Sequence, residues 1–363
     1  MNKTDILVIN PGSTSTKIAI YQTNKLLFTE SINHHANDLK EFSHIIDQFS
    51  FRLELIKAVL LEKHYDTSNL YAISARGGLL RPIESGTYLI NQNIIDDLKN
   101  STYGEHASNL GALIAYDLAS KLNIPSYITD PVVVDEMSIV AKYTGLPHIK
   151  RKSIFHALNH KAVGRLYALD ANKPYESLNL IICHLGGGIS VAAHQKGRII
   201  DVNNALDGDG PMSPERSGSL PFGVVFRMGY DNQYSLAEFS KMTVGGGGLV
   251  AYLGTNDGRS VMKLIESGNQ LAADVFEAMC YQITKSVGAM AAVLKGAVDA
   301  IIITGGLSYI KPLTDYIKTS TQFIAPVFTY PGEDEMSALL LGVLRVKNNI
   351  EQVKIYGGTN ENN

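Results

Sequence analysis

The sequence predicts an α/β protein of two domains built by duplication, and three observations carry that prediction. At 363 residues, 45% of them hydrophobic, the chain is long enough to bury two cores. The same order of elements, a strand meander followed by alternating helices and strands, occurs in each half. Each half also opens on an apolar strand that runs into a turn of small residues, Asn10 to Ser15 in the first and Gly186-Gly187-Gly188 in the second. Two such turns facing each other across a cleft between the domains would suit the phosphate chain of a nucleotide. Two unrelated α/β domains with glycine turns are the alternative.

Residues 6–9, Ile-Leu-Val-Ile, have the apolar continuity of a buried strand. Asn10, Pro11 and Gly12 are turn formers, and residues 16–21 alternate as a second strand, so the chain opens on a tight hairpin. Its tip carries Ser13, Thr14, Ser15 and Thr16, with Lys17 just beyond. Hydroxyls, backbone amides and one ammonium make a receptor for phosphate oxygens. An ordinary polar turn is the other reading. It is not a Walker loop, because no GxxxxGK[ST] is present and a strand follows instead of a helix.

Residues 25–31 read as a third strand. Residues 38–64 hold apolar residues at helical spacing without Pro or Gly and predict one long helix. A short strand at 71–74 ends at Ala75-Arg76-Gly77-Gly78, and a polar excursion covers 81–91. Helices at 92–99 and 106–122 lead to a strand at 126–129, stopped by Asp130-Pro131.

The second half repeats the order. Strands at 178–185, 189–194 and 198–202 form a meander. A long polar insertion follows, in which the run Gly245 to Gly248 reads as a loop between helices, with a hinge or linker role open. A long helix spans 269–294, a strand at 300–304 ends at Gly305-Gly306, and helix 309–319, strand 323–329 and helix 335–347 complete the chain.

Composition excludes several classes. A net charge of −3 argues against a general nucleic-acid binder. Cys183 and Cys280 sit in apolar runs and read as buried thiols of a reducing compartment, not as a disulfide or metal site. The first residues enter a strand with no signal-peptide pattern, and the longest apolar stretch, 287–303, is broken by Lys295 and Asp299. The expectation is a cytoplasmic protein with no membrane and no nucleic-acid partner.

Five motifs taken in order carry a resemblance: Asn10-Pro-Gly-Ser-Thr-Ser-Thr-Lys17, Phe155-His156-x-x-x-His160, His184-Leu-Gly-Gly-Gly188, Arg216-Ser-Gly218 and Gly332-Glu-Asp-Glu335. Together they resemble the acetokinase family, over nearly the whole chain. The resemblance implies the duplicated actin/hexokinase/Hsp70-like (ribonuclease H-like) fold, two domains with a central cleft. Within the family the chain is most similar to the butyrate kinases, including branched-chain fatty acid kinases. The Asn-Pro-Gly start and the segment Arg76-Gly-Gly-Leu-Leu-Arg-Pro82 point there. Acetate and propionate kinases usually carry Asn where this chain has Gly187, and a Gly-Ile-Gly-Glu-Asn loop where it has Gly305-Gly306-Leu307-Ser308-Tyr309.

The resemblance implies reversible phosphoryl transfer between ATP and a short-chain carboxylate, giving ADP and an acyl phosphate. That chemistry is mostly positioning and charge stabilisation. By resemblance, Arg76 and Arg216 flank the phosphoryl group, where a permanently charged fork suits phosphate or carboxylate oxygens. His156 donates to the phosphoryl oxygens, whereas His160 on the same helix face reads as a core histidine. Asp130 organises the metal and the reacting group, and Glu335, with Asn10, supports Mg²⁺ through water. Helix capping is the alternative for Glu335. Ser13, Ser15 and Lys17 are the candidates for the first phosphate turn, and His184, Gly186, Gly187 and Gly188 for the second. Gly305 and Gly306 are candidates for the nucleoside loop, and Phe155 and Pro214 for the acyl pocket. The expected domains are 1–150, to which helix 335–347 returns, and a nucleotide-binding domain at 151–330. A homodimer or higher homo-oligomer is expected through the second domain, with helix 272–294 as a candidate face.

Overall fold

The computed structural model describes residues 3–231 and 234–357. The chain divides into two compact units. One comprises Met1–Val134 with Asp334–Asn363, and the other Asp135–Glu333.

In the first unit β1 (Asp5–Pro11), β2 (Ser15–Gln22) and β3 (Lys25–Asn33) form an antiparallel meander. β4 (Leu70–Ala75) and β6 (Ser126–Thr129) then add in parallel beside β1, and β5 (Thr87–Leu89) follows antiparallel. In the second unit β7 (Asn179–Leu185), β8 (Ile189–Gln195) and β9 (Arg198–Val202) repeat the meander, and β10 (Ala300–Gly305) and β11 (Val327–Pro331) repeat the two parallel additions. The order β3-β2-β1-β4-β6 therefore recurs as β9-β8-β7-β10-β11, the duplication that the element order predicts. Among the described residues the first sheet alone extends further, through β5 to β12 (Lys354–Ile355).

Burial follows from helices packing on the central strands. Helices Asn109–Leu122 and Glu335–Lys347 both pack on β1, so Ile6, Leu7, Val8 and Ile9 are all fully buried. In the second unit helix Gln270–Val293 lies on β7 and β8, and helix Ala157–Asp170 on β7 and β10. Cys183 and Cys280 are buried free thiols in that core, and burial pushes both up to about 12.

Several local expectations change. Residues 38–64 are not one helix but Ala36–Leu39, a 3-10 turn Ile45–Gln48 and helix Phe49–Glu62. The His44 backbone N–H donates to the Asp47 carboxylate at 2.9 Å and its ring pairs with Glu105. That cap opens a new helical start inside an unbroken apolar periodicity. The excursion at 81–91 contains β5. The polar insertion contains helices Phe222–Tyr230, Leu236–Thr243, Leu249–Leu253 and Gly258–Glu266. Helix 309–319 begins later, as Lys311–Thr321, because 306–309 coil into a 3-10 turn and Pro312 takes the first helical turn. The residues just after Val134 belong to the second unit: Glu136 accepts from Lys161 Nζ at 2.7 Å and from the Ile199 N–H at 2.8 Å, and the Ser138 N–H donates to Ile200.

Helix Glu335–Lys347 is held close to β6 by one glycine. A Cβ on Gly342 would overlap the Thr129 side chain, and the Ser74 hydroxyl donates to the Leu339 carbonyl at 2.9 Å. Gly342→Ala is therefore expected to lose about 1–3 kcal/mol through overpacking, despite the better helix propensity of alanine. Urea denaturation checks this, and unchanged or raised stability would contradict the close approach.

Candidate active site

Parallel neighbouring strands end at one edge of a sheet, and the first unit uses that edge. β1 ends at Asn10 and Pro11, β4 delivers Arg76, and β6 delivers Asp130. The register pairs Ile9 with Ala75 and Ala75 with Ile128, so the three residues leave adjacent strands together. Glu335 arrives from the first turn of its helix, which Asp334 caps by accepting from the Ser337 N–H. Asn10 Nδ2 donates to the Glu335 carboxylate at 2.6 Å, and Arg76 Nη1 donates to it at 2.7 Å. Asn10 Oδ1 is buried without a hydrogen-bond partner.

Asp130 leaves β6 at the same edge. Its buried carboxylate accepts from Ser85 Oγ at 2.6 Å and from the Gly86 N–H at 2.8 Å, and its φ of +40° is left-handed, which aspartate tolerates better than most residues. Lys17 pairs with Asn10 across β1 and β2, so the two side chains share a face.

The hairpin tip rests on Arg52. This fully buried side chain donates from Nη1 to the Gly12 carbonyl at 2.7 Å, the Ser15 carbonyl at 3.1 Å and Thr16 Oγ1 at 3.1 Å, and from Nη2 to the Ser13 carbonyl at 3.1 Å. Burial lowers Arg52 only to about 10, so a cation sits under the tip at neutral pH. Ser13 and Thr14 stay exposed, Ser15 half-buried and Lys17 exposed. Thr16, expected at the tip, is instead buried between Arg52 and His34, because it faces inward on an alternating strand.

The second unit builds a matching edge. His184 and the Gly186-Gly188 turn end β7, Gly305 and Gly306 end β10, and Thr304 pairs with His184. A Cβ on Gly305 (φ +90°) would strike the Leu185 backbone, whereas Gly306 faces open space. A Cβ on Gly188 would overlap the Arg216 guanidinium. Arg216 Nη1 donates to the Ala205 carbonyl, and its Nε is buried without a hydrogen-bond partner. Burial lowers its pKa, partly offset by Glu215.

The glycine run Gly245 to Gly248 fastens the Arg216 loop. The Gly245 N–H donates to Glu215 at 2.7 Å, Leu249 to Ser213 at 3.2 Å, and Val250 to Pro214 at 2.9 Å. Ser213 Oγ in turn donates to the Gly187 carbonyl at 2.6 Å.

Four histidines lie behind this edge. The His156 and His184 rings stack at 3.8 Å between centroids. His184 Nδ1 donates to Asn159 Oδ1 at 2.8 Å, and its Nε2 lies 3.5 Å from the Glu333 carboxylate. Ser190 Oγ bonds both His156 Nδ1 (2.9 Å) and His160 Nε2 (2.8 Å). Phe155 is buried edge-on against His160. Burial, then the neighbouring rings His184 and His160 respectively, depresses His160 and His194 well below the ordinary imidazole value.

The fold has close relatives among solved structures. A Porphyromonas gingivalis acetate kinase superposes with a TM-score of 0.76 at 20% identity, covering 95% of this chain and 100% of that one. A Francisella tularensis propionate kinase gives 0.74 at 20%, covering 94% and 99%. The fold is thus the duplicated one of acetate and sugar kinases, Hsp70 and actin. A probable butyrate kinase of Clostridium botulinum (strain Eklund 17B) is 50% identical over 351 residues, 97% of this chain and 99% of that one. One of Listeria monocytogenes serotype 4b (strain CLIP80459) is 51% identical over 352 residues, again 97% and 99%. A profile of the acetokinase family matches residues 136–309. The chain belongs to the acetokinase family.

Sequence reasoning missed Arg52, Ser190, His194 and Asn159. Arg52 sits inside an apolar helical pattern and Ser190 and His194 inside an apolar strand. A polar residue in such a run is the one available signal, and it names no partner.

The buried histidines predict acid sensitivity. His160 and His194 stay neutral when folded, but in the unfolded chain they titrate near ~6.5. Protons therefore bind the unfolded state preferentially, so the contribution is complete above that value and falls as pH drops below it. The expected slope is up to about 1.4 kcal/mol per pH unit per histidine. Denaturant melts at pH 7.5 and 5.5 should differ accordingly, and His194→Gln should flatten the difference.

Proposed function

We propose that the protein phosphorylates a short-chain fatty acid with ATP, reversibly and by direct transfer. A carboxylate oxygen attacks the γ-phosphorus, the bond from that phosphorus to the ADP oxygen breaks, and an acyl phosphate and ADP result. The observation that carries this reading is the half-identity, end to end, with probable butyrate kinases. The geometry supports it. An unpartnered buried guanidinium N–H costs about 1–3 kcal/mol, and Arg216 Nε is positioned beside a glycine turn where a ligand oxygen can satisfy it.

In this reading Arg216 and Arg76 neutralise charge on the phosphoryl group in flight, and His156 donates to its oxygens. Asp130 orders the loop at Ser85 and Gly86 beside the reacting group. Ser13, Ser15 and Lys17, over the buried Arg52 cation, and His184 with Gly186, Gly187 and Gly188 receive nucleotide phosphates. Gly305 and Gly306 border the nucleoside, and Phe155 and Pro214 the acyl chain.

The residues present fit Mg²⁺. Asn10 Oδ1 is an orphaned buried acceptor beside the Glu335 carboxylate, a sparse oxygen set of the kind that leaves Mg²⁺ most of its waters. Among the described residues no cluster of three or more His, Cys, Asp or Glu forms a closed cage. Asn10 and Glu335 would hold the ion, directly or through water, with Asp130 near the same sheet edge. When bound, it supplies charge neutralisation on the phosphates.

The preferred acid is butyrate or a branched acid over acetate, and the site of action is the cytoplasm. No described helix is long and apolar enough to cross a membrane. The working form is a homodimer or higher homo-oligomer. Phe222, Phe226 and Tyr230 stand exposed in a row at helical spacing, with Leu220 and Leu236 nearby. That face suits a second copy better than helix Gln270–Val293, one side of which is core. Light scattering at micromolar protein should give at least twice the chain mass; a monomer would exclude the assembly.

The activity test is trapping of acyl phosphate as hydroxamate with ATP, Mg²⁺ and acids from acetate to valerate, with isobutyrate and isovalerate. A kcat/KM for acetate equal to that for butyrate would refute the preference, and phosphate release with no trapped product would refute the reaction. Arg216→Ala should lower kcat by about 10³–10⁵ with nucleotide affinity little changed. Arg216→Lys should recover little, because an ammonium does not fork. Added Mg²⁺ should restore part of the activity of Glu335→Ala and none of that of Arg216→Ala.

A further inference from the structure

Behind His156 a row of polar side chains runs into the core of the second unit. Tyr175 OH lies 2.7 Å from His194 Nδ1, His194 Nε2 lies 3.3 Å from His160 Nδ1, His160 Nε2 lies 2.8 Å from Ser190 Oγ, and Ser190 Oγ lies 2.9 Å from His156 Nδ1. The His160 and His194 rings are nearly parallel, 11° apart. His160, Ser190 and His194 are fully buried, and Tyr175 is buried at 5% exposure. Such a row is costly unless each atom finds a partner of opposite sense.

A neutral imidazole has one N–H and one lone pair, so each ring passes on the direction it receives. Two arrangements run in one direction through the whole row; a third, in which Ser190 Oγ accepts from both His160 and His156, leaves the Ser190 O–H without an acceptor in the row. In the first, Tyr175 donates to His194, His194 to His160, His160 to Ser190 and Ser190 to His156 Nδ1. In the second, every bond is reversed. A phenol O–H is a stronger donor than a neutral imidazole N–H, and an imidazole lone pair is a stronger acceptor than a phenol oxygen. The first direction therefore wins at the buried end, and Ser190, already accepting from His160, gives its one O–H an acceptor in the row only by donating to His156 Nδ1. Arg165 and Lys161 lie over the Tyr175 ring at 5.7 and 5.9 Å from its centroid, which strengthens the phenol as a donor. Both inner rings are held neutral by burial, as the arrangement requires.

We propose that Tyr175, His194, His160 and Ser190 form a one-directional hydrogen-bond relay that sets the tautomer of His156, accepting at Nδ1 and carrying its N–H on Nε2. These four are positioning residues. The inference rests on the reading of His156 as a donor to the phosphoryl oxygens, because the relay makes Nε2 a donor before any ligand arrives. Reversal of the relay would present a lone pair to anionic oxygens.

The test reads the tautomer directly. Full-length protein labelled with ¹⁵N-histidine, without ligands, should show a His156 whose Nδ1 is unprotonated and whose Nε2 carries hydrogen, the signals being assigned by their loss in His156→Gln. A His156 protonated at Nδ1, or an even mixture of tautomers, overturns the proposal. Ser190→Ala should produce that mixture and lower kcat about tenfold with nucleotide KM within about twofold, the loss expected for one hydrogen bond. Ser190→Thr, which keeps the hydroxyl, should hold both near the parent. A Ser190→Ala protein that keeps the tautomer, and kcat within about twofold, overturns it as well. Should Ser190→Ala not fold, Tyr175→Phe applies the same two readings from the far end. Full activity in His156→Ala would refute the donor role of His156, while the spectra would still judge the relay.

Discussion

Parallel neighbouring strands must end at the same edge of their sheet, and the candidate site follows from that constraint. In the first unit it gathers Asn10, Arg76 and Asp130 from β1, β4 and β6. In the second it gathers His184, Gly305 and Gly332 from β7, β10 and β11. The antiparallel meander contributes a different thing, a tight turn at the same end of the first strand of each sheet. Duplication of one plan thus supplies two sets of backbone turns, and side-chain chemistry then distinguishes them.

The two sets are specialised by what lies beneath. The first turn sits on a buried cation, Arg52, whose guanidinium takes up tip carbonyls and leaves Ser13 and Thr14 at the surface. The second sits on neutral, desolvated histidines and on glycines whose missing Cβ atoms admit Arg216 and the Leu185 backbone. One edge therefore has fixed charge below the loop, and the other has it alongside. Under the proposed function, both arrangements suit anionic oxygens without a reorganising solvent shell.

Glu335 combines a favourable structural place with the chemistry proposed for it. Its place in the first turn of a helix is favourable for an acid on electrostatic grounds alone. The tight packing of Gly342 against Thr129 brings that turn to the strand ends, where Asn10 and Arg76 both donate to its carboxylate. An acid favoured by its place in the first helical turn and the acid proposed to support Mg²⁺ are then the same group, and the two readings of its position are not exclusive.

The sequence by itself determined the duplicated α/β plan and the turns at the strand ends. Strands 6–9, 178–185 and 300–304 were legible because they are apolar runs interrupted only by Asn179, His184 and Thr304, and helix Glu335–Lys347 was legible to the residue. These are local properties, written in periodicity and turn chemistry. It misled where a local pattern had two solutions: residues 38–64 keep helical periodicity across a break that only the His44 contacts to Asp47 and Glu105 create. The insertion after β9 read as polar with a glycine loop between helices at 245–248; helices Leu236–Thr243 and Leu249–Leu253 do flank that loop, but their bracing of the Arg216 loop was not legible. Tertiary structure alone decided the partners: that Arg52 lies under the tip, that Thr16 turns inward, and that Tyr175, His194, His160, Ser190 and His156 stand in one row. The reason is that a hydrogen bond between residues far apart in the chain depends on strand pairing and helix docking. Neither periodicity nor composition records which buried polar group will meet which.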